Sequence, residues 1–164
     1  MALSEGTLAS GLQTMVPTMD EGEAITRLVN AWASYFEGAE VLGVPADSLD
    51  GASSAMEGAL GALNVDGAVG MQAGVVAFWG VVTSAAATIW VFPPNLAGPA
   101  VPPPGAAGIA AALLPVFSAN VASNASLEEA TENIAAVLHS LGGQGGTVTV
   151  TPPPPASPFV EDIT

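Results

Sequence analysis

The segment MQAGVVAFWGVVTSAAATIWVF, Met71–Phe92, contains no charged side chain. It lies within a longer interval, residues 67–127, that has no Asp, Glu, Lys, Arg or His. An apolar segment of this length forms either a membrane span, which needs about 20 residues, or a helix that protein covers on all sides. The choice between these two decides which folds the chain can adopt.

Three features of the sequence argue against a membrane span. The many Ala and Gly residues, together with Gln72 and Ser84, make transfer into lipid much less favourable than for a span rich in Leu, Ile and Phe. No Lys or Arg flanks either end to fix an orientation. Acidic residues border the uncharged interval, at Asp66 and Glu128. We therefore expect a helix buried in protein and keep a membrane-inserted hairpin as the alternative.

The charge of the chain excludes several classes of partner. The chain has no Lys and one Arg, Arg27, but 15 Asp and Glu residues, so its formal net charge is -14. Binding of a phosphate backbone requires clustered Lys and Arg, so we expect no specific nucleic acid partner. An anionic membrane surface is an equally poor partner. The first residues lack the basic region of a signal peptide, so we expect synthesis in the cytoplasm without export by the general secretory route.

Apolar periodicity and capping patterns predict a mainly α-helical fold, a small helical bundle. Thr18-x-x-Glu21 and Ser126-x-x-Glu129 are capping-box patterns, which are typical of helix N-termini. The tryptophans fall on helical faces and are interpreted as packing anchors. The predicted helices span about residues 4–15, 18–39, 45–63, 66–92, 105–124 and 126–141.

Proline and glycine divide the chain into a helical domain, residues 1–141, and an extended C-terminal arm, residues 142–164. A Pro-rich connection at 93–104 interrupts the helical domain, and its prolines exclude a helix or a central strand. Glycines at 142, 143, 145 and 146 predict a hinge. After them, TVTVT predicts a short strand, and the following prolines predict polyproline. A disordered tail is the alternative, but Phe159, Val160 and Ile163 favour docking on a neighbouring subunit.

The apolar surface of the long helix must be packed against other protein, and so small a chain has few elements for this. We therefore expect copies of the chain or other subunits to pack against it. Such packing predicts an obligate assembly, a homo-oligomer or a complex with other proteins. The candidate protein-interaction residues are the large apolar side chains of the long helix and the arm: Val76, Trp79, Val82, Trp90, Val148, Val150, Phe159 and Ile163.

The sequence offers little catalytic chemistry. His139 follows Glu128 and Glu132 on one predicted helix, but a single helix face rarely completes a metal coordination shell, so we interpret this helix as an ordinary surface helix. There is no G-x-S-x-G motif, and there is no Lys for a phosphate-binding loop. We therefore predict no catalytic residue, no cofactor, no metal site and no small-molecule substrate.

Four segments carry a resemblance to a known family: LSEGTLASGLQTMVPT, QAGVVAFWGVV, VPPPGAAGIAAALLPVF and TVTVTPPPP. Together they resemble small Ala/Gly-rich structural proteins of tailed bacteriophages. The resemblance implies a non-enzymatic virion component, present in repeated copies in the tail, neck or baseplate, with other virion proteins as partners. It carries no functional residues over to this chain. The alternative is a small membrane protein similar to a phage holin, and an enzyme ranks last.

Overall fold

The computed structural model describes residues 3–15, 19–63 and 67–164. The predicted mainly α-helical class is confirmed, because helices dominate the described chain. The α-helices are α1 (Glu5–Leu12), α2 (Glu21–Phe36), α3 (Asp50–Leu63), α4 (Gly67–Ile89), α5 (Ile109–Ser123) and α6 (Leu127–Leu138). The strands are β1 (Glu40–Val41), β2 (Val44–Pro45), β3 (Leu96–Val101), β4 (Thr147–Thr151) and β5 (Phe159–Asp162).

Local side-chain chemistry sets where the helices begin. The capping box predicted for α6 is present: the Ser126 hydroxyl accepts from the Glu129 amide, and the Glu129 carboxylate accepts from the Ser126 amide, both at 3.2 Å. In α2 the cap is Asp20, whose carboxylate accepts from the Glu23 amide at 2.8 Å. Thr18, the predicted cap, lies outside the described residues.

The third helix starts later than the sequence suggested. Residues from Pro45 were predicted to be helical, but Pro45 pairs with Glu40 in the β1–β2 hairpin, and α3 begins at Asp50. The hairpin turns through Leu42 and Gly43, which have φ of 55° and 75°. Glycine adopts this left-handed conformation readily, so a turn is favoured here over a continued helix.

The long apolar helix α4 receives much of its cover from the same chain. It packs against α3, α5 and β3, and the side chains of Phe78, Trp79, Val82 and Ile89 are buried. At Gly74 a Cβ atom would lie 3.1–3.2 Å from Met56 and Leu60 of α3, so the missing side chain allows the two helices to approach closely.

A three-stranded antiparallel sheet lies beside the helices, with β4 in the centre. The predicted TVTVT strand is β4. Part of the Pro-rich connection forms β3, an edge strand whose register shifts between Ala97 and Ala100. Pro99 lies at this irregularity, and an edge position is where a strand tolerates a residue without an amide donor.

The C-terminal segment is part of the core rather than an arm, which corrects the predicted division at residue 141. Val148, Val150 and Ile163 are at most 2% exposed and belong to the same hydrophobic cluster as the helices. Strand β4 of this segment pairs with β3 of the same chain, where docking on a neighbouring subunit was expected. Gly142 and Gly143, predicted to be hinge residues, are buried in a π-helical turn, His139–Gly143.

Candidate interaction surface

The structure separates the eight predicted interaction residues into two groups. Val76 and Phe159 are exposed, at 47% and 40%. The other six are at most 2% exposed and therefore meet their own chain instead of a partner: Trp79, Val82, Trp90, Val148, Val150 and Ile163. The sequence identified apolar side chains that need cover, but it could not show that the chain covers most of them itself.

Trp79 and Trp90 are packing anchors whose indole N–H groups are hydrogen-bonded, whereas the buried Trp32 indole has no hydrogen-bond partner among the described residues. The Trp79 indole donates to the Gly142 carbonyl at 2.7 Å, and the Trp90 indole donates to the Ala39 carbonyl at 3.4 Å. Phe36 contacts both indoles, with ring centroids 5.2 Å and 6.3 Å away. These contacts join α2, α4 and the C-terminal segment into one core, so Trp79 and Trp90 are not available to a partner.

The exposed large hydrophobic residues are concentrated in the charge-free interval. Three of those identified in the described part of the chain lie elsewhere, namely Leu42, Phe159 and Val160. Eight lie between residues 67 and 127: Val69, Val76, Val91, Leu96, Val101, Leu114, Val121 and Leu127. We call the exposed surface of residues 67–127 the neutral face. Apolar surface without charge is typical of contacts with protein or lipid.

Helix α4 has an outward stripe that consists of Val69, Ala73, Val76, Gly80, Ser84 and Ala87. The hydroxyl groups in this stripe or beside it are hydrogen-bonded to the helix itself: Thr83 donates to the Trp79 carbonyl at 2.8 Å, and Ser84 donates to the Val81 carbonyl at 3.1 Å. The same stripe includes Gly80, which is exposed. A hydroxyl satisfied in this way needs no water partner, so covering the stripe costs little hydrogen bonding.

An open groove lies beside this stripe. One wall is formed by Val76, Trp79, Gly80 and Thr83 of α4, and the other by Pro102–Pro104 with Ala106 and Ala107. Its volume is about 320 Å³. Because prolines fix the backbone of the second wall, the groove is largely formed before any contact is made.

Helix α5 adds a second exposed apolar surface and is fixed to α4 at two points. The Gln72 side-chain oxygen accepts from the Ala110 amide at 2.9 Å, and Phe117 lies against Gly67. The two helices therefore run in opposite directions. Leu114 and Val121 of α5 are 57% and 78% exposed.

The charged groups lie outside the neutral face. The acidic residues fall before residue 67 or after residue 127. Arg27 is already paired within the chain: its guanidinium forms an ion pair with Glu23 at 2.5 Å and donates to the Thr14 carbonyl. The surface formed by the other residues therefore carries the net negative charge and would repel another acidic protein, whereas the neutral face carries no charged side chain.

A long-range polar contact joins Tyr35 and His139, whose Oη and Nδ1 atoms are 2.8 Å apart. Burial raises the pKa of Tyr35, and the charge of Glu5 raises it further. His139 thus contacts α2 across the core.

Among residues 3–15, 19–63 and 67–164, no group of three His, Cys, Asp or Glu side chains is placed to hold a metal ion.

Two helical segments, Gly67–Ile89 and Ala106–Ser123, are long and apolar enough to cross a membrane by length and composition alone. The most apolar part of the first segment is 39% buried inside the fold, and that of the second is 17% buried. No family model, curated protein or solved structure matches this chain.

Proposed function

We propose that this chain is a non-enzymatic structural subunit of a tailed-phage virion, in the tail, neck or baseplate, and that it assembles by burying its neutral face. The observation that carries the proposal is the concentration of eight exposed large hydrophobic residues in a charge-free interval. Each square ångström of apolar surface removed from water contributes roughly 25 cal/mol, so covering this face would drive association.

The completeness of the core supports this reading. The three tryptophans, Tyr35, three of the five phenylalanines and the valines of β4 are already buried in one cluster. The fold therefore does not need Val76, Leu114 or Val121 for its interior. Apolar side chains left outside a finished core are candidates for contacts with other subunits. The sequence resemblance to small structural proteins of tailed phages names the kind of assembly in which such contacts would be made.

The test is the location of the protein in particles. Phage particles from the virus or prophage that encodes the chain would be purified on a density gradient and analysed by quantitative mass spectrometry. We expect peptides of this protein at a fixed number of copies per particle, and retention after a high-salt wash, because apolar contacts are not screened by salt. Recovery only in the membrane fraction of infected cells, or in no particle, would overturn the proposal.

A membrane-inserted helical hairpin, similar to a holin, is the second candidate. It is favoured by the two apolar helices, by their opposite directions and by the hydroxyls that turn back onto α4. Against it, α4 would have to leave its contacts with α3 and β3 to enter lipid. Flotation with neutral phosphatidylcholine vesicles separates the two: a structural subunit stays at the bottom of the gradient, whereas a hairpin floats.

A further inference from the structure

We propose that the occupant of the α4 stripe is a second copy of this chain, so that two copies form a dimer through α4 and the adjoining groove. The inference rests on the proposed assembly function and deepens it by naming the first partner. The stripe consists of Val69, Ala73, Val76, Gly80, Ser84 and Ala87, which recur at helical spacing on the least covered side of the helix.

The charge distribution argues against a basic partner and restricts how two copies can meet. A basic partner would be drawn to the acidic surfaces formed before residue 67 and after residue 127, and it would gain nothing from the neutral face. Two copies, each with a formal charge of -14, repel each other over those same surfaces. Contact between two neutral faces is the arrangement that joins them with the fewest like charges opposed.

The shape of the stripe suits a symmetric contact. In a two-fold dimer the same surface of both copies is buried, so the residues at its middle must pack against the same residues of the other copy without a clash. The middle here is Val76 and Gly80. A Cβ atom on Gly80 would meet nothing within 4 Å in the chain, so the absence of a side chain there leaves room for another helix to approach.

The groove extends the contact beyond one helix. It begins at Val76 and Gly80 and ends at the Pro102–Pro104 wall, so a helix laid across the stripe would also cover the groove. Both walls are mostly apolar, and the Thr83 hydroxyl is already satisfied by the Trp79 carbonyl. Burial of this region would therefore leave few polar groups without partners.

The experiment is sedimentation equilibrium of the full chain without detergent, over a range of protein and NaCl concentrations. We expect a monomer–dimer equilibrium whose dissociation constant falls as NaCl rises, because salt screens the repulsion between acidic copies and does not weaken apolar contacts. A chain that is monomeric at every concentration and salt level would overturn the dimer.

Two matched variants test whether the dimer contact lies on α4. Gly80→Gln adds a long polar side chain at the middle of the stripe, and Gly58→Gln makes the same change on exposed α3, where a Cβ atom also meets nothing within 4 Å. At low protein concentration, where the copies are apart, both should melt no lower than the parent, because Gln favours helix over Gly. Only Gly80→Gln should weaken dimerisation, by about tenfold or more. Equal effects, or no effect, would contradict the assignment.

The outcomes also separate this inference from the proposed function. A chain that is monomeric in solution but present in purified particles keeps the virion assignment and removes the second copy as the partner of α4. A dimer that is sensitive to Gly80→Gln but absent from particles keeps the dimer and removes the virion role. A chain that is soluble only in detergent would overturn the dimer and favour the membrane hairpin.

Discussion

Tyr35 and His139 are 104 positions apart in the sequence, and their side chains meet at 2.8 Å. Gly143 lies against the same phenol, since a Cβ atom on it would be 1.8 Å from the Tyr35 oxygen. The contact links α2 to the turn that follows α6. Because the chain has one tyrosine, this junction can be followed by a spectroscopic signal of its own.

The first prediction concerns alkaline pH. Burial raises the pKa of Tyr35, while an unfolded tyrosine titrates near pH 10. Below pH 10 the phenol is protonated in both states and adds no pH dependence. Above it the unfolded state loses the proton first, so the free energy of unfolding falls by up to about 1.4 kcal/mol per pH unit.

Absorbance of tyrosinate near 295 nm and circular dichroism near 222 nm test this together. We expect the two signals to change at the same pH, well above 10, in one cooperative step, because the phenol ionises when the fold opens. An absorbance change centred near pH 10 with unchanged helicity would show that Tyr35 is accessible in the folded chain.

The second prediction concerns Gly143. Gly143→Ala places a methyl group where the Tyr35 hydroxyl lies, and we expect a loss of roughly 1–3 kcal/mol, the usual cost of overpacking a core. Gly61→Ala in α3 is the control, since a Cβ atom there meets nothing within 4 Å, and it should be neutral or slightly stabilising. Urea denaturation measures both.

A double variant shows whether the cost of Gly143→Ala arises at the phenol. Tyr35→Phe removes the closest atom, so the pair should lose less stability than the sum of the single changes. Additive losses would indicate that Gly143→Ala acts through the backbone of the turn instead.

The third prediction concerns the start of α5. Its N-cap residue, Gly108, has no side chain to cap the helix, and the Gln72 side chain of α4 accepts from the Ala110 amide. Gln72→Ala should cost about 1 kcal/mol, as for loss of a helix cap, and should speed amide exchange in the first turn of α5. Gln144→Ala, at an exposed position, is the control. Unchanged exchange at Ala110 would contradict the capping role.

Much of the fold could be predicted from local patterns. Ser126 and Glu129 identified the start of α6, alternation in TVTVT identified β4, and the apolar run identified α4. These features depend on neighbours within a few residues, so the sequence contains them directly. The Pro-rich connection was correctly excluded from a central strand, although its pairing as the edge strand β3 was not foreseen.

The tryptophans were correctly interpreted as packing anchors, but the contact partners of the tryptophans and glycines could not be predicted, because these partners lie far along the chain. Glycines after α6 suggested a hinge, yet Gly143 is where Tyr35 packs and Gly146 is where Trp79 packs. Likewise, composition showed that Trp79 needs cover but not that Gly142 accepts its indole hydrogen bond. The neutral face could be identified only from the structure, which shows which apolar side chains remain outside the core.

The last prediction compares two valines of the β4–β5 hairpin. Val148 is fully buried on β4, and Val160 is 64% exposed on β5. If residues 142–164 belong to the core of the single chain, Val148→Ala should cost about 2 kcal/mol of unfolding free energy, while Val160→Ala should cost almost nothing. An arm that docks only on a neighbour would make both changes silent in the isolated chain. Thermal denaturation at low protein concentration, where copies are apart, distinguishes these outcomes.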